Sequence, residues 1–455
     1  MRHHFITAAT IIFATLTASA TEIAKTDNAL PPCTDSTVVT THHHNNAEEA
    51  HTQQLMHSRK VAYFGGEDKQ ADADSINRLI ARFYYDQYRH FQDPEAPYFL
   101  MISRDATLAM GIGGAVRMRG WYDFDGDVPY NGFIPYTIAV PGNPAKQRRL
   151  DATPAGTALF FRILGCNKAL GNFSAYIQGN FDGNGGSDFK IKKSYATIND
   201  WTIGYATSTF SDITANPPVI DAQGPCGQVN NTAVLLQWRH NIKSRWTVAA
   251  SFEFPKSYAN TDLATTETIK DWFPDLTAFG QINWDEGLSH VRLSGLLRVL
   301  PYRDLVAQKN RTTTAWGAQV SGKSITPSPV TLFWEAVGGA GVESYINDLM
   351  IGNNDLFNNP DTPGRMYTPY CMGLTAGVRY DFSNSVFSSV SLSEARMWHR
   401  RGAVNPESYR YGVYCAANVF WNMSARLQVG AEYLYGYRRN RSGEGEDAQR
   451  VNMLF

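Results

Sequence analysis

The sequence lacks a long apolar run after its first twenty residues. No window beyond them is hydrophobic enough for a membrane-spanning helix, so any membrane role falls to strands. It also lacks an excess of basic charge. Lys and Arg number 41 against 42 Asp and Glu, a net charge of −1, which argues against a nucleic-acid partner. Charged residues make up only 18% of the chain. The five cysteines, Cys33, Cys166, Cys226, Cys371 and Cys415, are scattered, with no C-x-x-C pair and no zinc spacing. Export would permit disulfides, but the sequence does not pair these five. There is no G-x-S-x-G, no H-E-x-x-H and no phosphate-binding glycine loop, so no catalytic residue, metal or cofactor is assigned.

What is present is aromatic and glycine-rich: 13% Phe, Trp and Tyr, and 37 glycines. The governing stretch is 106–124. Its even positions (Leu108, Met110, Ile112, Val116, Met118, Phe124) are apolar. Its odd positions (Ala109, Gly111, Gly113, Ala115, Arg117, Arg119, Trp121, Asp123) are small and then charged. Alternate side chains of a strand point to opposite faces, so this is a strand with one greasy and one wet side. Strands of soluble domains average roughly 5–6 residues, whereas one tilted across a bilayer needs about 9–11. This stretch fits the second class.

The same alternation recurs at 155–164, 172–182, 246–254, 290–299, 370–379 and 426–435. In 172–182, Phe173, Ala175, Ile177 and Phe181 face one way and Ser174, Tyr176, Gln178 and Asn180 the other. Turn-forming residues such as Asp182-Gly183-Asn184-Gly185-Gly186 separate these segments. We count about 14–18 segments, with about 16 the best single number for a closed barrel. A soluble sandwich also alternates, but with shorter strands and a charge-rich polar face. Aromatics at segment ends (Trp121, Tyr122, Trp238, Tyr380, Trp421, Tyr433, Tyr435) suit membrane-interface girdles better. The fold class is therefore all-β, a transmembrane antiparallel β-barrel over 98–455.

The N-terminus reads as an export signal over 1–20, with Arg2, His3 and His4 before an apolar core and Ala18-Ser19-Ala20 as the cleavage site. Residues 21–71 form a polar linker carrying His42-His43-His44, His51 and His57. A His tract can bind metal, but nothing orients these rings. One helix is predicted at 72–93, where Ile76, Leu79, Ile80, Phe83, Tyr84, Tyr88 and Phe91 recur at helical spacing and Pro94 stops it. Its stripe packs either on the barrel mouth or on neighbouring subunits.

Charge sorts by face. The wet faces collect Arg117, Arg119, Arg162, Lys192, Arg239, Arg292, Arg298, Arg379, Arg410, Arg426 and Arg450, against the fewer acids Asp123, Asp182, Glu253, Glu335 and Glu432. Basic rings select anions in pores. The alternative is that these arginines sit in solvated pairs near strand ends and select nothing. Arg117, Arg119, Arg162, Lys192, Arg239, Arg292, Arg298 and Arg379 are the pore-lining candidates.

The run Pro217-Pro218-Val219-Ile220-Asp221-Ala222-Gln223-Gly224-Pro225-Cys226-Gly227-Gln228-Val229, preceded by Ile203-Gly204-Tyr205-Ala206-Thr207-Ser208-Thr209-Phe210-Ser211-Asp212, resembles the signature of DcaP-type outer-membrane porins of Gram-negative bacteria. Ala431-Glu432-Tyr433-Leu434-Tyr435-Gly436, with Arg438-Arg439-Asn440 and Gly443, is similar to that family's closing hairpin, and Arg298, Tyr302, Arg303 and Asp304 to one of its strand ends. The resemblance covers 98–455. It implies a homotrimer of 16-stranded barrels in the outer membrane, in contact with its lipid and passing small hydrophilic, mostly anionic solutes such as dicarboxylates. It also implies a short periplasmic helix at the N-terminus. The last strand, ending at Phe455, looks short for such a barrel. Pro217 and Pro218 cannot feed a sheet ladder, so 212–229 is a loop. In a porin this loop would enter the lumen, with Pro217, Pro218, Asp221, Gly224, Pro225 and Gly227 at the constriction; the alternative is a surface loop. The expectation is a passive channel, not an enzyme. The runner-up is a barrel with a hydrolase or adhesive role, the latter through loops near 256–272, 303–313 and 343–366.

Overall fold

The computed structural model describes residues 59–65, 75–77, 79–80 and 99–455, apart from 130, 168–169, 183–187, 244 and 353–354. The export signal and the His tract lie outside the described residues, as does most of the helix expected at 72–93. Within that helix, residues 75–77 and 79–80 are helical.

Strands make up the fold. In chain order they are β1 (Lys60–Phe64), β2 (Phe99–Ser103), β3 (Leu108–Ala115), β4 (Arg119–Asp125), β5 (Arg149–Thr153), β6 (Thr157–Asn167), β7 (Gly171–Asp182) and β8 (Asp188–Ile198). Next come β9 (Trp201–Thr207), β10 (Thr232–Ile242), β11 (Trp246–Glu253), β12 (Ala259–Asn260), β13 (Thr266–Thr268), β14 (Asp275–Trp284), β15 (Ser289–Asp304) and β16 (Lys309–Ile325). The last eight are β17 (Val330–Ala340), β18 (Leu356–Asn358), β19 (Met366–Tyr367), β20 (Tyr370–Asp381), β21 (Val386–Trp398), β22 (Tyr409–Ser424), β23 (Leu427–Asn440) and β24 (Gly445–Leu454). Twenty-one of them share one large sheet, and β12, β18 and β19 form a small second sheet.

The pairing of the large sheet returns on itself. From β6, each wall strand pairs antiparallel with the next, through β11 to β14 and β17 to β20, as far as β24. Then β24 pairs with β4, and β3 pairs with β6. The stretch expected as one strand over 106–124 is two, β3 and β4, broken at Val116-Arg117-Met118. Its partner is broken at the same level between β5 and β6, where the Arg117 N–H turns aside to the Thr157 hydroxyl. The even–odd phase survives the break: Ala109, Trp121 and Asp123 are buried, whereas Ile112, Val116 and Phe124 are exposed.

Burial is inverted relative to a soluble sheet. On β21, Val390 and Leu392 are 52% and 57% exposed, while Ser391 and Ser393 are 1% and 2%. On β15, Leu293 and Leu297 are exposed between buried Arg292, Ser294 and Arg298. Polar side chains lie inside and aliphatic ones outside, which is stable only where the outside meets lipid.

One seam differs from the rest. β24 ends at Leu454, opposite Arg119. The remaining edge of β3 is taken by β2, antiparallel, from Phe99↔Ile112 to Ile102↔Ala109. β1 then lies parallel to β2. The short last strand is thus continued by an N-terminal one. The alternation that reveals the wall strands gave no sign of β1, which falls in the stretch read as linker. On this seam Leu79 and Ile80 pack against Leu100, Ile102, Ala109 and Leu164, whose side chains share the inner face.

A ring of antiparallel strands without a free wall edge resists detergent until heated. The folded chain should run faster on a denaturing gel before boiling than after it, and equal mobility in both lanes from a folded sample would count against closure.

Candidate functional site

The site is the inner face of the wall and the loops that rest on it. The chief loop is 208–231, between β9 and β10. Its backbone is caught by three wall glutamates. Glu253 accepts from Thr209 N at 2.8 Å. Glu432 accepts from Ile220 N at 2.8 Å and Asp221 N at 2.7 Å, while Asn418 and Asn452 orient its carboxyl group. Glu335 accepts from Val229 N. Each such bond contributes about 1 kcal/mol net, but a buried N–H left without its acceptor costs about 1–3 kcal/mol. The loop therefore depends on these carboxyls more than their number suggests.

Of the proposed constriction residues, all but Gly224 touch the wall or a second loop. The Pro218 carbonyl accepts from Ser389 Oγ and from Asn418 at 2.9 Å. Pro217 lies over Gly377, where any Cβ would collide with it at 2.5 Å. Asp221 accepts from Phe133 N at 2.9 Å and, across a tight turn, from Gly224 N at 3.0 Å. The turn puts Gly224 at φ +77°, a conformation L side chains rarely adopt. The Pro225 carbonyl accepts from Asn347 at 3.1 Å, and Gly227 N donates to Ser393 Oγ at 2.8 Å.

Two other long connections interlock with this loop. Within the connection 341–358, which overlaps the loop near 343–366 read from sequence as suited to adhesion, Tyr345, Ile346, Leu349 and Phe357 are buried in a cluster with Phe210, Cys226 and Val229. Phe133 and Ile138, from the connection between β4 and β5, join the same cluster, as do inward wall residues such as Tyr414, Leu434 and Ala448. Asp348 accepts from Tyr136 N at 2.9 Å, fastening the connection 341–358 to the one between β4 and β5.

The pore-lining candidates are placed as follows. Arg117 and Arg119 both point at the Ile220 carbonyl, at 2.9 and 3.4 Å. Arg162 is 1% exposed. Lys192 occupies a bulge opposite Gln178 and Gly179 and pairs with Asp182 at 2.8 Å, so Lys193 takes the inward position opposite Gln178. Arg239 and Arg292 both lie over the Phe279 ring, at 5.8 and 4.1 Å. Arg292 also donates to Gln281 Oε1 and to the Ser211 carbonyl. Arg298 is buried between Asp275 at 3.0 Å and Asp355 at 3.2 Å. Arg379 pairs with Asp381 at 2.7 Å and lies over Phe387.

Sequence reasoning missed the acids that answer these bases. Asp212 and Asp355 come from connections, where no period reveals a facing direction. Asp275 stands at the first position of β14, on the same alternate phase as Thr277, Phe279 and Gln281, and only that phase could have disclosed it. Asp212 is held by His290 at 2.8 Å and Ser321 at 2.7 Å. Burial alone would raise this carboxyl, but Arg292 and His290 hold it well below the usual range. Histidine and serine here converge on one aspartate oxygen. A nucleophile and its base would instead bond to each other.

A model described as the DcaP outer membrane protein matches residues 100–455. The chain belongs to the DcaP outer membrane protein family. It is similar in structure to the outer membrane channel DcaP of Acinetobacter baumannii, with TM-score 0.66 and 18% identity over 77% of this chain and 96% of that one. The anion-selective porin from Comamonas acidovorans matches at TM-score 0.49 and 10% identity, over 76% of this chain and 98% of that one. In-vitro folded OmpT of Vibrio cholerae matches at TM-score 0.48 and 10% identity, over 76% and 96%. No curated protein matches. This DcaP family member is thus an outer-membrane β-barrel, and its polar interior and apolar exterior are what that location requires.

The interlocked loops of this family member carry a pH signature. Burial pushes the Asp348 carboxyl up to about 8, against the opposing effect of the Tyr136 N–H. An unfolded aspartate titrates near about 3.9. The neutral form is favoured in the folded chain, so this contribution is complete below about pH 4 and is lost as pH rises through about 8. The unfolding midpoint should fall between about pH 4 and 8, and Asp348→Asn, which keeps the acceptor for Tyr136, should make that fall shallower. An unchanged slope in the variant would show that Asp348 does not govern it.

Proposed function

We propose that the protein is a passive outer-membrane channel for small hydrophilic anions, with no chemical step. The observation that carries this reading is one hollow on the inner face. A space of about 40 Å³ is bordered by Lys193, Arg239 and Arg292 together with Thr202, Thr209 and Gln237, and no carboxylate lines it. Outside that lining, Glu253 bonds Thr209 N, Ser251 and Thr277, while Asp212 bonds His290 and Ser321 and pairs with Arg292 at 3.6 Å. Three cations border one gap, and the acid that partners Arg292, Asp212, lies outside its lining.

In this reading the loop 208–231 narrows the passage, and solute follows the wall of β8 to β11 beside it. At an effective dielectric near 20, one charge pair about 4 Å apart gives roughly 4 kcal/mol before desolvation costs. A tight gap limits the screening that acts over about 8 Å at physiological salt. A dicarboxylate suits three spaced cations better than a neutral sugar of equal size. If β3 with β4, and β5 with β6, each count as one interrupted stave, the ring has 16 staves. We take the assembly to be a homotrimer, as the family resemblance implies. We also take the chain to be exported through the signal at 1–20. The helix around residues 75–80 belongs to its own barrel, supported by the burial of Leu79 and Ile80 on the seam.

Reversal potential in a salt gradient tests the selectivity. The unmodified channel should prefer anions, and Lys193→Glu with Arg239→Glu should reduce that preference several-fold or reverse it while heat-modifiability is kept. Cation preference in the unmodified protein would sink the reading.

A further inference from the structure

A second hollow lies on the outer face. Trp316, Ala340, Tyr370 and Trp398 stand side by side on four adjacent strands, in direct register from β16 to β21. The three aromatics are exposed, at 46%, 61% and 45%. Ala340, the small member of the row, leaves a depression between its neighbours, and the hollow measures about 440 Å³. Its rim at the long-loop end is polar, with Thr314, Thr368 and Arg400. Arg400 is held in place by Tyr367: its backbone N–H donates to the Tyr367 hydroxyl at 3.2 Å, and its guanidinium lies 4.8 Å over that ring. Among the described residues no carboxylate ion-pairs with Arg400.

We propose that this hollow binds a phosphorylated acyl lipid of the surrounding membrane, with an acyl chain over Ala340 between the aromatics and the phosphate on Arg400. The chemistry is that of the membrane interface. Tryptophan and tyrosine settle at head-group level, the floor is apolar where hydrocarbon would lie, and an arginine fork without an acid partner matches a phosphate in two parallel hydrogen bonds. A zwitterionic head group would satisfy the hollow but would bring its own cation to Arg400. The site lies outside the lumen and is independent of solute passage.

The test is native mass spectrometry of the detergent-solubilised barrel titrated with dioleoylphosphatidic acid and, separately, dioleoylphosphatidylcholine. The unmodified protein should retain one phosphatidic acid per chain at concentrations where phosphatidylcholine is lost. Arg400→Gln should weaken that retention by about tenfold, roughly the loss of one charge-assisted contact. Ala340→Leu, which fills the floor, should weaken it too. Both variants should keep the heat-modifiable band and the unmodified conductance. Equal retention of the two lipids, or retention unchanged in Arg400→Gln, would overturn the proposal and leave only a non-specific lipid annulus.

Discussion

Three glutamates on the inner wall, Glu253, Glu335 and Glu432, hold one loop by its backbone, and the interior is arranged around that attachment. A loop inside a barrel has a backbone that must be hydrogen-bonded, and its own turns satisfy only part of it. The wall meets the remainder with carboxyl groups at Thr209, Ile220, Asp221 and Val229, spread along the loop from its first residues to its last. Between these points Gly227 and Gly373 approach so closely that a Cβ on Gly373 would lie 2.1 Å from the Gly227 carbonyl oxygen. The loop is fitted to the wall, and the two other connections then pack on it.

Counted along strands, the inner face has more bases than acids. Counted in space, many of those bases are answered: Arg298 by Asp275 and Asp355, Arg379 by Asp381, Arg450 by Asp123. Removing one member of such a buried pair typically costs about 3–5 kcal/mol, so these arginines hold the barrel and its loops together. The gap bordered by Lys193, Arg239 and Arg292 has no carboxylate in its lining, although Asp212 pairs with Arg292 from outside it, and the case for an anion path rests on that lining.

The wall was legible in the sequence because period-two alternation survives in most of the long strands, even across the break at Val116-Arg117-Met118. Its facing directions were legible too, as the exposed Ile177 and Ile112 and the buried Tyr176 and Ala109 show. Alternation fails where a residue is inserted. The bulge at Lys192 shifts the phase by one, so the inward lysine is Lys193. It says nothing of residues outside strands, so the acids Asp212, Asp348 and Asp355 had no facing direction to read. It also missed the seam, where β1 and β2 are too short and too apolar to alternate visibly. Pro217 and Pro218 marked a loop, but its place against the wall depended on glutamates more than a hundred residues away, as Val229 and Glu335 illustrate.

Single-channel conductance of anchor variants tests the central claim most directly. Glu335→Ala and Glu432→Ala, combined, should release the loop 208–231 from the wall. In barrels that remain heat-modifiable, conductance should rise and fluctuate as the freed loop moves in the lumen. Steady conductance equal to that of the unmodified protein would contradict the account, because the glutamates would then not be what holds the loop against the wall.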